Sequence, residues 1–252
     1  MKVQFKYAFR TGLNARIAVF AVILLMDLVF ITLGEMNRLS SAAHITAVSL
    51  GGVAIAVMMA VNIVGDIAIA RYMFSAPGAY LHALTPVLRW KTLLAGLLAM
   101  ALMDLLTTAV VIAGEIWLSF NLAGDNVWRI VWNAIQANST DLMYGVCIIL
   151  IMILGYLLVV TIILFCAAAK RSIFSNMPAS GFLTFLLGCG CFYAVSLLQL
   201  IFAPFGSVYR YGLFITIMVG RGALPFFIPL ILLEAAAVFA LTSTLMERKM
   251  NI

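Results

Sequence analysis

Three carboxylates stand inside long apolar runs of this 252-residue chain: Asp27 in VILLMDLVF, Asp104 in MALMDLLTTAV and Glu234 in LILLEAAAV. Holding an Asp at the centre of a membrane span costs roughly 2.5–3.5 kcal/mol on insertion scales. Such groups therefore face a bundle interior or a wet cavity, or find a partner. With a helical rise of about 1.5 Å per residue, Asp27 lies roughly 16 Å beyond Arg16, Asp104 about 20 Å beyond Lys91 and Glu234 about 20 Å before Glu247. All three thus fall near the middle of an apolar layer about 30 Å thick, and on this ruler no basic residue shares that depth. Two kinds of chemistry suit them. Some of the three line a substrate path that favours cationic or amphipathic cargo. Alternatively they are protonated or hydrogen-bonded glue between helices, with Asp104 reaching Thr107 or Thr108. Asp66 and Glu115 fall near opposite interfaces and are expected to have no such role.

Other chemistry is sparse. No G-x-x-x-x-G-K-[ST] phosphate loop, no H-E-x-x-H and no Ser/His or Cys/His pair at matching depth occurs. Any ATP-driven work must therefore draw on another chain. His44 and His82 lack acidic or cysteine companions at ligand spacing, so no metal site is expected. Cys147, Cys166, Cys189 and Cys191 lie in apolar runs, where a thiol behaves as a small hydrophobe.

The elements that must position these groups follow from composition. Only 10% of residues are charged, 65% are apolar, and mean hydropathy is +1.18. A soluble domain carries about 25% charged residues. Six apolar runs are long enough to cross a bilayer: 17–33, 45–70, 93–118, 143–169, 181–204 and 223–245. Eleven of the 15 basic residues fall on one side: Lys2, Lys6, Arg10, Arg16, Arg71, Arg89, Lys91, Lys170, Arg171, Arg248 and Lys249. Arg38, Arg129, Arg210 and Arg221 fall on the other. The positive-inside rule then places both termini in the cytoplasm. The net charge of +6 is a product of this anchoring and does not argue for nucleic acid.

Residues 1–16, MKVQFKYAFRTGLNAR, interleave basic and aromatic residues. They suit either an amphipathic lead-in helix in the cytoplasmic headgroup region or a simple positive anchor. The external segment around 114–141 carries Trp117, Trp128 and Trp132, as an aromatic belt does. Residues 204–229 are apolar but broken by glycines, prolines and two arginines. An outer re-entrant or interfacial hairpin over 205–222 fits them, because irregular backbone at membrane depth must be sheltered. The competing form is a fifth span continuing crookedly to Phe214.

The cytoplasmic connection 71–92, RYMFSAPGAYLHALTPVLRWKT, reads as two short helical pieces. Pro77 and Pro86 suit first turns and Thr85 a cap. Tyr80, Leu81, Leu84 and Leu88 make an apolar stripe that needs a partner to bury it.

This stretch, FSAPGAYLHALTPVLRWKTLLAGLL, resembles the first cytoplasmic loop of type-2 permeases of bacterial ATP-binding-cassette (ABC) exporters. Tyr80, Leu81, Leu84, Thr85, Pro86, Val87, Arg89 and Lys91 match the pattern, whereas the usual acidic residue before the tyrosine is replaced by Ala76-Pro77-Gly78. The likeness is sharp over about 25 residues and loose over the rest. It implies an all-α membrane protein with six transmembrane helices and a single transmembrane domain over 1–252. In the family this loop is a coupling helix docked on a separate ABC ATPase subunit, which here would engage Phe74, Tyr80, Leu81, Leu84, Thr85, Pro86, Arg89 and Lys91. ATP and magnesium would be held by that ATPase and no cofactor by this chain. A second permease chain, identical or a sister, would complete the unit in the bacterial cytoplasmic membrane. Its cargo would be a peptide, antibiotic or other amphipathic compound moved outward. The competing class is a proton- or ion-coupled secondary carrier, motivated by the intramembrane acids. A third class, an intramembrane hydrolase or assembly factor, lacks the residue pairs hydrolysis needs.

Overall fold

The structure, a computed structural model, describes residues 2–35, 41–74, 88–123, 139–175, 177–201, 206–211, 214–219 and 224–249. Among the described residues six helices dominate: α1 (Lys2–Glu35), α2 (Ser41–Phe74), α3 (Arg89–Ala123), α4 (Ser139–Ser172), α5 (Ser180–Ile201) and α6 (Leu224–Lys249). Between α5 and α6 lie two short strands, β1 (Gly206–Tyr211) and β2 (Phe214–Val219). Each helix contains a stretch long and apolar enough to cross a membrane: Arg16–Leu33, Leu50–Phe74, Trp90–Leu118, Gly145–Ser172, Ser180–Leu200 and Phe226–Glu247. In lipid every backbone polar group must be satisfied within the protein, and a helix achieves this within one segment. Pro178 falls between α4 and α5, where a missing N–H and a fixed φ cost little. Among the described helices only α6 carries a proline internally, Pro229, which leaves the Pro225 carbonyl without its helical donor. Large apolar side chains such as Leu25, Val64, Phe182, Phe185 and Leu233 point outward, as lipid-facing residues do. The chain is a multi-pass membrane protein.

The helices pack as two compact units. The first comprises Met1–Ile69 and Ala95–Asn138, hence α1 and most of α2 and α3. Its core joins Ile23 of α1, Met58 of α2 and Val111 of α3, with Val19, Phe20, Ala54 and Ile55 packed around them. The segment 1–16 is not a separate element. α1 runs unbroken through it, 34 residues or about 51 Å. Its sequence holds no proline, and its one glycine before residue 34, Gly12, leaves the helix intact.

The second unit comprises Ala70–Leu94 and Ser139–Ile252. Here α4 packs most extensively on α6, through Leu158, Ile162 and Cys166 of α4 against Ile231 and Ala235 of α6. Leu187, Cys191 and Val195 of α5 lie partly buried on the same core. Hydroxyls within these helices bond back to the preceding turn, as Thr161 does to the Leu158 carbonyl and Thr242 to that of Val238, which removes the cost of an exposed donor in lipid. The strands pair antiparallel from Gly206↔Val219 to Tyr211↔Phe214, so only two residues join them. Their valines, isoleucines and tyrosines favour extended backbone. The fifth helix therefore ends at Ile201 and does not continue to Phe214.

Within the first unit, α2 approaches its neighbours closely at two glycines. A Cβ on Gly65 would stand 2.7 Å from the Arg16 guanidinium carbon, and one on Gly51 would meet the Glu115 carboxylate. Gly52, by contrast, faces open space. Gly65→Ala is therefore expected to cost about 1–3 kcal/mol by overpacking. Gly52→Ala should be neutral or stabilise by up to about 1 kcal/mol. Thermal unfolding of the two purified variants checks this order.

Candidate functional site

The first unit carries a charged cluster where α1, α2 and α3 meet. Arg16 is wholly buried, with 0% of its surface exposed. Its Nε donates to Asn62 Oδ1 at 3.1 Å. Its Nη2 donates to Asp66 Oδ1 at 2.7 Å, to Asp104 Oδ1 at 2.6 Å and to the Asn62 backbone carbonyl at 3.1 Å. The two aspartates also interact directly with each other. Asn62 extends the network: its amide donates to Thr108 Oγ1 at 3.2 Å, and its Oδ1 also accepts from Thr107 at 3.1 Å. Helical spacing brings these groups together. Asn62 and Asp66 are four residues apart, and Asp104, Thr107 and Thr108 are three and four apart, so each set occupies one helix face. Gly65 supplies the space for the guanidinium. A lone buried ion costs several kcal/mol, and the carboxylates hydrogen-bonded to the guanidinium offset part of that penalty.

A second layer lies further along the same helices. Asp27 and Glu115, 8% and 7% exposed, approach each other closely enough for their charges to interact. Both line a cavity of about 170 Å³ whose remaining walls are apolar apart from Gly51, among them Ile23, Phe30, Ala54, Val57 and Leu118. Asp27 Oδ2 and Glu115 Oε1 are buried without a hydrogen-bond partner. In the second unit Glu234, 5% exposed, accepts at Oε2 from Gln199 Nε2 at 3.0 Å, and its Oε1 has no partner.

The three carboxylates expected at one depth thus have three different settings. Asp27 lines a cavity, Asp104 joins an ion cluster, and Glu234 pairs with a glutamine in the other unit. The expectation that no basic residue shares their depth is corrected. Arg16 is not a headgroup anchor, because its guanidinium folds inward to Asp66 and Asp104. The Asp104 carboxylate accepts from Arg16, while the Thr107 hydroxyl bonds to backbone carbonyls of Met103 and Asp104 and to Asn62. Asp66 and Glu115, assigned no role from sequence, are central to the two layers. Of the residues expected to form a coupling element, Tyr80, Leu81, Leu84, Thr85 and Pro86 lie outside the described residues. Phe74 ends α2 and is buried, Arg89 begins α3, and Lys91 Nζ sits 5.5 Å over the Trp90 ring.

A sequence signal for the two layers does exist. Arg16 and Asp27, Gly51 and Asn62, and Asp104 and Glu115 are each 11 residues apart. Eleven residues make three turns and about 16 Å, returning to nearly the same face. Asn62 and Gln199, uncharged and alone in apolar runs, carry no comparable mark.

Among the described residues no group of three or more His, Cys, Asp or Glu side chains is placed to hold a metal ion. No family model matches the chain, and no curated protein or solved structure matches it.

Asn62→Leu removes the acceptor for Arg16 Nε and the bridge to both threonines. It should destabilise the protein by about 2–3 kcal/mol, the scale of a hydrogen bond to a charged group left unmade. Thr108→Val removes one neutral contact and should cost only about 0.6 kcal/mol, the usual scale between membrane helices. Thermal unfolding in mild detergent ranks the two, and the reverse order would contradict the network.

Proposed function

We propose that this chain is the membrane-spanning permease subunit of an ABC exporter. In this reading it is driven by a separate ATPase and works with a second permease chain in a bacterial cytoplasmic membrane. The observation that carries the reading is the polar segment between α2 and α3. It holds the residues that resemble a coupling helix, and basic residues bracket it: Arg71 in the last turn of α2, and Arg89 and Lys91 at the start of α3. With Arg16 withdrawn from the count, ten basic residues still stand on that side against four on the other. That asymmetry supports a cytoplasmic segment and cytoplasmic termini. The six membrane-crossing helices and the lack of any nucleotide-binding motif fit a subunit whose energy comes from a partner.

A proton- or ion-coupled carrier is the second reading, and the Arg16–Asp66–Asp104 cluster is the observation that favours it. Ionisable groups inside membrane bundles often mark ion or proton pathways. The two readings differ in energy source. Export by the first stops when ATP is depleted. Export by the second stops with an uncoupler and survives loss of ATP.

The direct test is Tyr80→Ala with Leu84→Ala. Buried aromatic and aliphatic anchors dominate such interfaces, each typically worth about 2 kcal/mol or more. The double variant should insert normally yet bind the ATPase at least ~10-fold more weakly, with substrate-stimulated ATP hydrolysis and export both reduced. Full ATPase co-purification with native export would remove the segment from the mechanism.

A further inference from the structure

Arg16 meets two carboxyls, and the two carboxyls meet each other. Asp66 Oδ1 of α2 and Asp104 Oδ1 of α3 both accept from the same nitrogen, Nη2 of Arg16, at 2.7 and 2.6 Å. The two carboxyls are also within hydrogen-bonding reach of each other. Solvent does not relieve the contact: Arg16 and Asp66 are 0% exposed and Asp104 2%.

That contact fixes a protonation state. An ionised carboxylate only accepts hydrogen bonds, whereas a protonated one also donates. Two carboxyls therefore bond to each other only when one of them carries a proton. Charge points the same way. One guanidinium and two carboxylates leave one negative charge in excess among them, which is costly to bury, and one added proton makes the three groups neutral. The hydrogen-bonding neighbours Asn62 of α2 and Thr107 and Thr108 of α3 do not titrate. Lys6 and Arg10 of α1 and Arg71 of α2 are exposed. The next acids along α1 and α3 are Asp27 and Glu115, each 11 residues further on, or about 16 Å.

We propose that the Arg16–Asp66–Asp104 cluster is a proton-binding site, which at neutral pH holds one proton between the Asp66 and Asp104 carboxyls. The proton is part of the three-helix joint. It turns a repulsion between α2 and α3 into a hydrogen bond, with Arg16 of α1 held across both. In the unfolded chain both aspartates are ionised above about pH 4, so unfolding releases the proton. For this one proton the unfolding equilibrium constant rises about 10-fold per pH unit. Stability therefore falls as pH rises, until the folded unit itself gives the proton up.

The test counts the protons released when the purified full-length chain is unfolded by denaturing detergent, from the pH dependence of unfolding between about pH 5 and 7. Asp66→Asn and Asp104→Asn each leave the guanidinium opposite a single carboxylate. Each should lower the count by one, whatever the variant's own stability. Asp27, Glu115 and Glu234 are common to all three chains and cancel in the difference. A second reading needs no unfolding. Infrared spectra of the folded chain in lipid nanodiscs should show, in the native-minus-variant difference, the C=O band of a protonated carboxyl, and deuterated water should shift it. An unchanged proton count in both variants, or no deuterium-sensitive carboxyl band in the difference spectra, would overturn the assignment. Both readings are made without an ATPase or transport, so failure here leaves the exporter reading standing, and failure of that reading leaves this site in place.

Discussion

A guanidinium with no exposed surface, held between three helices, is the constraint on which the first unit depends. Arg16 enters from α1, lies against α2 where Gly65 has no side chain, and reaches carboxylates on both α2 and α3. Apolar contacts alone fix helix positions weakly in lipid, because lipid tails are as apolar as leucine. A multiply bonded arginine has only one arrangement in which its donors find their acceptors. The register of α1 against α2 and α3 is thereby set. The Ile23–Met58–Val111 core then closes along the same three helices.

That register has a consequence about 16 Å further along. The 11-residue spacing that places Arg16 and Asp104 in one layer places Asp27 and Glu115 in another. In the first layer the carboxylates receive a cation from the chain itself. In the second they do not, and a cavity opens beside them. The first layer is thus a joint between three helices, whereas the second leaves buried carboxylate oxygens without a hydrogen-bond partner. Glu234 in the second unit, half satisfied by Gln199, resembles neither layer fully.

Much of the fold was legible in the residues. The six apolar runs coincide with the six membrane-crossing stretches within a few positions, because hydropathy at that length leaves the backbone few alternatives. The stretch after α5, broken by glycines and prolines, suits an outer re-entrant or interfacial hairpin; the structure shows an antiparallel pair, β1 and β2, there. The continuity of α1 was less legible, since a basic, aromatic lead-in suits both an interfacial helix and the start of a longer one. The site was half legible. Buried carboxylates announce themselves by type, so Asp27, Asp104 and Glu234 stand out. Their partners do not, since a depth ruler follows each Cα and ignores the reach of an arginine side chain. Arg16, one residue before the first apolar run, therefore reads as an anchor when it is in fact a buried ligand for two aspartates.

The most direct test of this account is a double-mutant cycle between Arg16 and Asp104. Arg16→Gln, Asp104→Asn and their combination would be compared with the native chain by denaturing-detergent titration of the purified protein. Each single change is expected to destabilise strongly. The double change should cost less than the sum of the two, by a coupling of at least about 1.5 kcal/mol, the lower end measured for close charge pairs. Additive effects, within about 0.5 kcal/mol, would mean that the two side chains do not meet.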